Sequence, residues 1–132
     1  MTGLTSSRKL DHLHLCAETD VAFGSAGFSD VRLVHNAVPE CAASDIDIST
    51  EFLGRKLAAP IFIAAMTGGH PDTAEVNKTL AAAAEQFNIP MGVGSQRAAL
   101  ENPELADSFT VVRETAPNAF LAGKPCGGTL VK

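Results

Sequence analysis

The chain has 132 residues, of which 45% are hydrophobic and 19% are charged, and its formal net charge is −5. This composition is typical of a soluble globular domain, and an acidic chain without a basic patch is not expected to bind nucleic acid. No apolar run reaches the ~18 residues of a membrane span, which argues against a membrane protein. The three cysteines form no CxxC pair and the four histidines form no cluster. We therefore expect reduced thiols, no metal site built from these cysteines and histidines, and a cytoplasmic location.

The N-terminal part of the sequence has weak hydrophobic patterning. Residues 1–20 are polar with scattered leucines, and they are compatible with a short helix or an extended arm. Residues 31–35 are compatible with a helix or a strand, and their periodicity does not distinguish the two. The strict alternation of residues 45–49 predicts a half-exposed strand. Gly54 then predicts the turn of a small hairpin.

From residue 60 onward, strand and helix patterns alternate regularly. Apolar runs predict strands near 60–66, 90–94 and 119–122. Amphipathic spacing predicts helices near 73–87 and 103–115, on one side of these strands. Because the strands start about 30 residues apart, the pattern indicates consecutive βαβ units with parallel strands.

Both predicted helices carry recognisable end signals. Asp72 is predicted to cap the first helix, with Glu75 closing a capping box, and Asn88 with Pro90 is predicted to end it. Asn102, followed by proline, is predicted to start the second helix. The predicted core-facing residues are Val76, Leu80, Ala84 and Phe87 in the first helix, and Leu105, Phe109, Val112 and Ala116 in the second.

Two polar turns follow the first two predicted strands. Met66-Thr67-Gly68-Gly69 joins an apolar run to a helix start, and such a turn commonly binds a phosphate or a cofactor. The alternative is a plain strand-to-helix turn with convenient glycines. Ser95, Gln96 and Arg97 occupy the corresponding position after the next strand. An arginine there is suited to bidentate binding of a diphosphate, although a surface arginine at a helix start is the simpler alternative.

A third candidate group lies near the N-terminus. Arg8 and His12 are four residues apart, so a helix would place them on one face with Lys9 beside them. Three cationic groups suit a diphosphate. The alternative is a solvated, charged N-terminal arm.

These motifs together resemble a known family. SRKLDH at 7–12, MTGG at 66–69 and GVGSQRAAL at 92–100 are similar to motifs of the type 2, flavin-dependent isopentenyl-diphosphate isomerases, in the same order and spacing. The resemblance runs from Thr5 to Leu121.

The resemblance also implies a fold. That family is built on a (β/α)8 TIM barrel, which needs ~250 residues. We therefore expect an α/β chain that forms a partial barrel of the first two to three βα units. Residues 1–58 would be an N-terminal extension with the substrate arm and the hairpin. Residues 59–132 would be the incomplete start of the FMN-binding barrel domain.

The resemblance implies a function and a set of site residues. The implied activity interconverts isopentenyl and dimethylallyl diphosphate by protonation and deprotonation, with FMN, Mg²⁺ and NADPH as reductant. A homo-oligomer is expected for the complete protein. The implied diphosphate-binding residues are Arg8, Lys9, His12, Ser95, Gln96 and Arg97. The implied FMN-binding residues are Ala65, Met66, Thr67, Gly68 and Ser95.

After Leu121 the sequence departs from the family pattern. Lys124 stands where the family has an asparagine that contacts FMN, and Pro125 is expected to interrupt the strand. The family's metal-binding glutamate and its remaining flavin phosphate loops would lie beyond Lys132. The alternative function is therefore a truncated, catalytically incompetent fragment that acts as a partial flavin-binding or association module. A hydroxy-acid oxidase-like FMN barrel is a weaker alternative, since the RKxxH arm together with GSQR is not expected there.

Overall fold

The computed structural model describes residues 3–124, and their side chains from residue 7 onward. This part of the chain is mixed α/β, and its strands form no closed barrel. The helices are α1 (Gly3–Glu18), α2 (Pro71–Phe87), α3 (Arg97–Glu101) and α4 (Asp107–Thr115). The strands are β1 (Thr50–Phe52), β2 (Arg55–Leu57), β3 (Met91–Val93) and β4 (Leu121–Gly123). The expected effect of Pro125 lies outside the described residues.

The N-terminal arm is helical. Its half-buried leucines, Leu10 and Leu13, lie on a helix that contacts α2. The segment that follows is irregular apart from 3₁₀ turns at Phe28–Asp30 and Ala43–Asp45, so residues 31–35 are neither helix nor strand. None of the described helices has the length and hydropathy needed to cross a bilayer.

The predicted hairpin is confirmed, but its first strand begins later than predicted. β1 and β2 pair antiparallel across Leu53 and Gly54. The alternating residues 45–49 are not a strand, because the Asp47 carboxylate accepts a 2.8 Å hydrogen bond from the Ser49 amide. This local Asx turn replaces the extended backbone that the alternation predicted.

The hairpin packs at the end of the sheet where the parallel strands begin. Ala58 donates its amide hydrogen to the Asn88 carbonyl at 3.0 Å, and Asn88 lies just before β3. The Arg55 guanidinium donates to the Asn118 carbonyl at 2.6 Å, just before β4. Both polar turns lie at the opposite ends of their strands, so the hairpin leaves them uncovered.

The second half contains parallel pairing in the predicted order. β3 pairs parallel with β4, and Ile63 forms a parallel bridge with Met91. The parallel direction is therefore confirmed, but the predicted strand at 60–66 is wrong in extent, since only Ile63 pairs. Pro60 has no amide hydrogen to donate, and the chain leaves the ladder after Ile63.

The main core lies between this sheet and the pair α2 and α4. Met91 and Val93 from β3 contact a cluster that includes Ala84, Phe109 and Val112. The predicted face of the second helix is confirmed at Phe109, Val112 and Ala116, which are buried, whereas Leu105 is half-buried in the preceding 3₁₀ turn. The predicted face of α2 is partly wrong: the buried residues are Thr73, Asn77, Ala81 and Ala84, while Phe87 is 59% exposed.

Of the three predicted helix-end signals, Asn88 is confirmed, Asn102 is confirmed only as the start of a 3₁₀ turn, and Asp72 is wrong. Asn88 caps α2 in the left-handed conformation, and Asn102 accepts from the Glu104 amide at the start of a 3₁₀ turn that leads into α4. The Asp72 cap is wrong: His70 is the N-cap of α2, and its Nδ1 accepts from the Asp72 amide at 3.2 Å. Pro71 at the first helical position favours this earlier start. Helix α3 was not predicted.

Gly68 lies under the Phe109 ring. Its φ is 122°, and a Cβ at this position would overlap the Phe109 ring, which is 7% exposed. Only glycine provides both the backbone conformation and the space.

We expect Gly68→Ala to lower the free energy of unfolding by about 3 kcal/mol, because overpacking adds to left-handed strain. Urea denaturation followed by circular dichroism measures this loss. Gly54→Ala is the matched control, since Gly54 has a φ of 74° with open space around its Cα, and it should cost only about 1 kcal/mol. Equal losses for the two variants would contradict the packing explanation.

Candidate functional site

The first polar turn begins with a bulge in the parallel ladder. Gly92 donates its amide hydrogen to the Ile63 carbonyl at 2.8 Å, and Gly94 donates to the Thr67 carbonyl at 3.0 Å. Between these two hydrogen bonds, β3 advances by two residues while the neighbouring segment advances by four. In a regular parallel ladder both strands advance by the same number of residues. The extra residues project from the sheet as a bulge, and residues 64–66 are exposed. Bulges of this kind are frequent beside active sites.

Behind the bulge, buried polar groups attach the turn to α2 and α4. The Thr67 hydroxyl donates to Asn77 Oδ1, and Asn77 Nδ2 donates to the Ser108 carbonyl at 2.7 Å. Ser108 Oγ accepts from the Gly69 amide at 2.8 Å. Asn77 is fully buried and Ser108 is 3% exposed. Hydrogen bonds thus fix the turn at two points, Thr67 to α2 and Gly69 to α4.

The second polar turn lies next to the first. Since Gly94 pairs with Thr67, Ser95 comes directly after the residue that contacts the bulged segment. Ser95 is half-buried, while Gln96 and Arg97 are exposed, and Arg97 begins α3. The structure therefore brings Thr67 and Ser95 to the same end of neighbouring strands. Arg97 follows two residues after Ser95, at the start of α3.

The N-terminal helix contacts the bulge through a lysine. Lys9 Nζ donates to the Met66 carbonyl at 2.9 Å, across 57 residues of sequence. Arg8 and His12 are exposed on the same helix. Among the described residues, no contact links His12 to the turn. The structure thus joins one member of the predicted cationic group to the predicted cofactor turn.

Lys9 lies in a positive environment. Partial burial, followed by the charges of Lys124 and Arg8, lowers the pKa of Lys9 below the usual value of a lysine. Since docking disfavours the protonated form, the contact of α1 with the bulge strengthens as pH rises from this lowered pKa to the usual lysine value. A bound anion would have the opposite effect on the pKa, because it favours the charged form.

The exposed backbone of the bulge suits the edge of a flavin ring. Within residues 3–124, the amide groups of Ala65, Met66 and Thr67 meet no acceptor. Such donors match the carbonyl and nitrogen acceptors of a flavin. Gly68 is buried under Phe109, so only its backbone polar groups are suited to a ligand contact. With that restriction, the residues present fit FMN.

Metal binding finds no support in the described part of the chain. There, no three side chains of His, Cys, Asp or Glu converge on one point. Cys16 and Cys41 are free thiols on the surface.

Sequence reasoning missed the residues behind the turn. Asn77 and Ser108 were not predicted as site residues, although a signal was present. Thr73, Asn77, Ala81 and Ala84 follow one another at helical spacing, which marks a face of small and polar residues suited to close contact with polar backbone. His70, the N-cap of α2, was likewise not predicted.

The sequence model of the FMN-dependent dehydrogenase family matches residues 6–108. The chain therefore belongs to the FMN-dependent dehydrogenase family. The matched region contains the α1 lysine, the bulge and both polar turns.

Individual relatives narrow the comparison. The isopentenyl-diphosphate delta-isomerase of Methanoregula boonei is 65% identical over 117 residues, which is 89% of this chain and 33% of the relative. The enzymes of the same name from Archaeoglobus fulgidus and Methanosarcina acetivorans are 57% and 55% identical, each over 34% of the relative. The motif resemblance is confirmed, and the chain spans about a third of the length of these relatives.

We expect Lys124→Met to raise the pKa of Lys9 toward the usual lysine value, since it removes a nearby like charge. Because the pKa of Lys9 in the docked helix would then lie closer to the usual lysine value, the pH range over which the contact of α1 with the bulge strengthens should become narrower. A pH titration of the Lys9 side-chain NMR signals measures the shift. Lys78→Met is the control, because Lys78 pairs with Glu75 on α2 at 4.0 Å. A Lys9 titration unchanged by Lys124→Met would contradict the proximity of these charges.

Proposed function

We propose that this chain is the opening third of a flavin-dependent isopentenyl-diphosphate isomerase. The single observation that carries the proposal is the hydrogen bond of Lys9 to the Met66 carbonyl, which joins the cationic arm to the turn. The 65% identity to the Methanoregula boonei enzyme over 117 residues supports the same substrate. The complete protein would interconvert isopentenyl and dimethylallyl diphosphate.

The proposed architecture is the start of a (β/α)8 barrel. Residues 1–58 form the N-terminal extension, and residues 59–132 begin the barrel domain. Support comes from the parallel order of Ile63, β3 and β4. In the sequence, α2 and α4 connect these strands, and both helices pack against the sheet. In such barrels, ligands bind at the carboxyl ends of the strands, which is where the bulge and Ser95 lie.

In this proposal the cationic residues bind the diphosphate. Arg8 and Lys9 on α1 approach from the extension, with His12 one turn further along the helix. Ser95, Gln96 and Arg97 would contribute hydroxyl, amide and guanidinium donors from the barrel. Charge-assisted hydrogen bonds from both sides would neutralise the phosphate oxygens and orient the alkene.

The bulge is the proposed flavin contact. Ala65, Met66, Thr67, Gly68 and Ser95 would hold the ring. When bound, reduced FMN supplies the acid–base group for proton transfer to the alkene and from the adjacent carbon. The chain's own residues would align the substrate and exclude water from one face of the site.

The remaining parts of the proposal rest on the family resemblance. Mg²⁺ would accompany the diphosphate, with its protein ligand beyond Lys132, and NADPH would keep the flavin reduced. We also propose a cytoplasmic location and a homo-oligomer for the complete protein.

A second candidate function is association without catalysis. It is favoured by the large apolar side chains that the irregular segment exposes, among them Phe23 at 103%, Leu33 at 92% and Val34 at 97%. Apolar groups exposed to this degree mark interaction surfaces or aggregation sites. The chain would then act as a partial flavin-binding or association module.

We expect the purified 132-residue chain neither to isomerise isopentenyl diphosphate nor to retain FMN through desalting. Its flavin contacts are incomplete, and a two-stranded parallel sheet does not enclose a site that excludes water. The test adds FMN, Mg²⁺ and NADPH, and follows product formation and flavin absorbance. Robust turnover would refute this expectation and would mean that self-association completes the site.

The residue roles are tested in an active context. In a chimera, residues 1–121 replace the matching opening part of the Methanoregula boonei enzyme. We expect Arg8→Gln and Arg97→Gln each to raise the KM for isopentenyl diphosphate about 10- to 100-fold, since a hydrogen bond to a charged group contributes about 1.5–3 kcal/mol.

Arg55→Gln is the matched control for these arginines. Arg55 is exposed but bonds the Asn118 carbonyl at the opposite end of the sheet, so its loss should leave KM unchanged. If Arg55→Gln raises KM as much as Arg97→Gln, the assignment of the diphosphate site to the bulge end is wrong. An inactive chimera with the unaltered residues would contradict the proposed function itself.

A further inference from the structure

The buried polar groups behind the bulge form a chain with a fixed direction. Its far end is the backbone carbonyl of Ser108, which is able only to accept a hydrogen bond. Asn77 Nδ2 lies 2.7 Å from this carbonyl, so the amide nitrogen of Asn77 must face α4. Asn77 Oδ1 therefore faces Thr67, and the Thr67 hydroxyl must donate to it.

This direction determines what Thr67 presents to a ligand. Its single hydroxyl proton points inward to Asn77, so only oxygen lone pairs remain on the half-buried outer side. Immediately before it, Ala65 and Met66 present amide donors. The bulge thus combines backbone donors with one side-chain acceptor, which complements a planar heterocycle that carries both carbonyl acceptors and a ring N–H.

We propose that Asn77 is a positioning residue that orients the Thr67 hydroxyl as a hydrogen-bond acceptor toward the bound ring. The proposal rests on the proposed flavin contact and extends it to a residue that does not touch the ligand. Asn77 is fully buried, and within the described residues no buried side-chain polar atom lacks a partner. An apolar residue in place of Asn77 would therefore leave the Thr67 hydroxyl without its acceptor and remove the side-chain donor to the Ser108 carbonyl.

Asn77→Ala removes the acceptor of the Thr67 hydroxyl, whereas Asn77→Asp keeps it. In Asn77→Asp the ionised carboxylate lacks only the donor for the Ser108 carbonyl, and the protonated acid has that donor as well. Because burial disfavours the charged form, the pKa of this carboxyl is raised above that of an unfolded chain. The variant's stability is therefore retained at low pH and lost as pH rises through the folded-state pKa.

The experiment records amide NMR spectra of the 132-residue chain at pH 5 and pH 7, with and without millimolar FMN. We expect Asn77→Ala to shift the signals of residues 65–69 and to weaken the FMN response at least ten-fold, because the Thr67 hydroxyl loses its acceptor. Asn77→Asp should keep a near-wild-type FMN response at both pH values, although its stability falls between pH 5 and pH 7. The wild-type chain at both pH values controls for His70 and the other titratable groups around the turn.

Ala84→Gly is the stability control, since Ala84 is fully buried on the same helix but contacts the core away from the turn. It should lower stability without shifting residues 65–69. If Asn77→Asp does not fold at pH 7, its spectra at pH 5 are compared with those of Asn77→Ala, which should shift the signals of residues 65–69 at both pH values.

Two results distinguish the hypotheses. If Asn77→Ala loses stability while signals 65–69 stay in place, or if Asn77→Asp weakens the FMN response as much as Asn77→Ala does, Asn77 is only structural and the positioning role is refuted. If millimolar FMN shifts no amide of the wild-type bulge, the flavin contact fails. The effect of Asn77→Ala on the signals of the ligand-free chain then still decides whether Asn77 orients Thr67.

Discussion

The hydrogen bond from the Gly94 amide to the Thr67 carbonyl is the constraint on which the candidate site depends. This bond pairs Gly94 with a residue two positions further along the neighbouring segment than a regular parallel register would, so residues 64–66 must leave the sheet. The Thr67 side chain then meets α2, and Gly68 must pass beneath Phe109. The exposed backbone donors of the bulge, the buried hydrogen bond of Thr67 and the need for glycine at position 68 all follow from this one shift in register.

The same shift gives the N-terminal extension a point of attachment. The Met66 carbonyl does not pair in the ladder, and it accepts a 2.9 Å hydrogen bond from the Lys9 ammonium group. The contact carries an electrostatic cost, since burial and two neighbouring cations lower the pKa of Lys9. Under the proposed function, a bound diphosphate would offset that cost, so diphosphate binding and docking of the arm would reinforce each other.

Local signals predicted the parts of the fold that depend on local chemistry. The period of α4 and the end of α2 at Asn88 each involve residues within one or two turns, and each is confirmed. The Asn102–proline signal starts a 3₁₀ turn, and α4 itself begins at Asp107. Competing local bonds caused the errors: Asp47 turned an alternating segment into an Asx turn. The bulge was beyond sequence reasoning, since it depends on the register between segments about thirty residues apart.

Asn77 shows why a polar core residue is informative about a site. A buried amide must have every polar atom paired, and an apolar side chain of similar size would avoid this requirement. Asn77 and Thr73 are nevertheless among the largest fully buried side chains of the described chain. Thr73 bonds His70 at the helix start, so its polarity serves the cap. Asn77 has no such local partner, and its two bonds lead to Thr67 and Ser108. Its polarity is therefore explained by the turn that it orients.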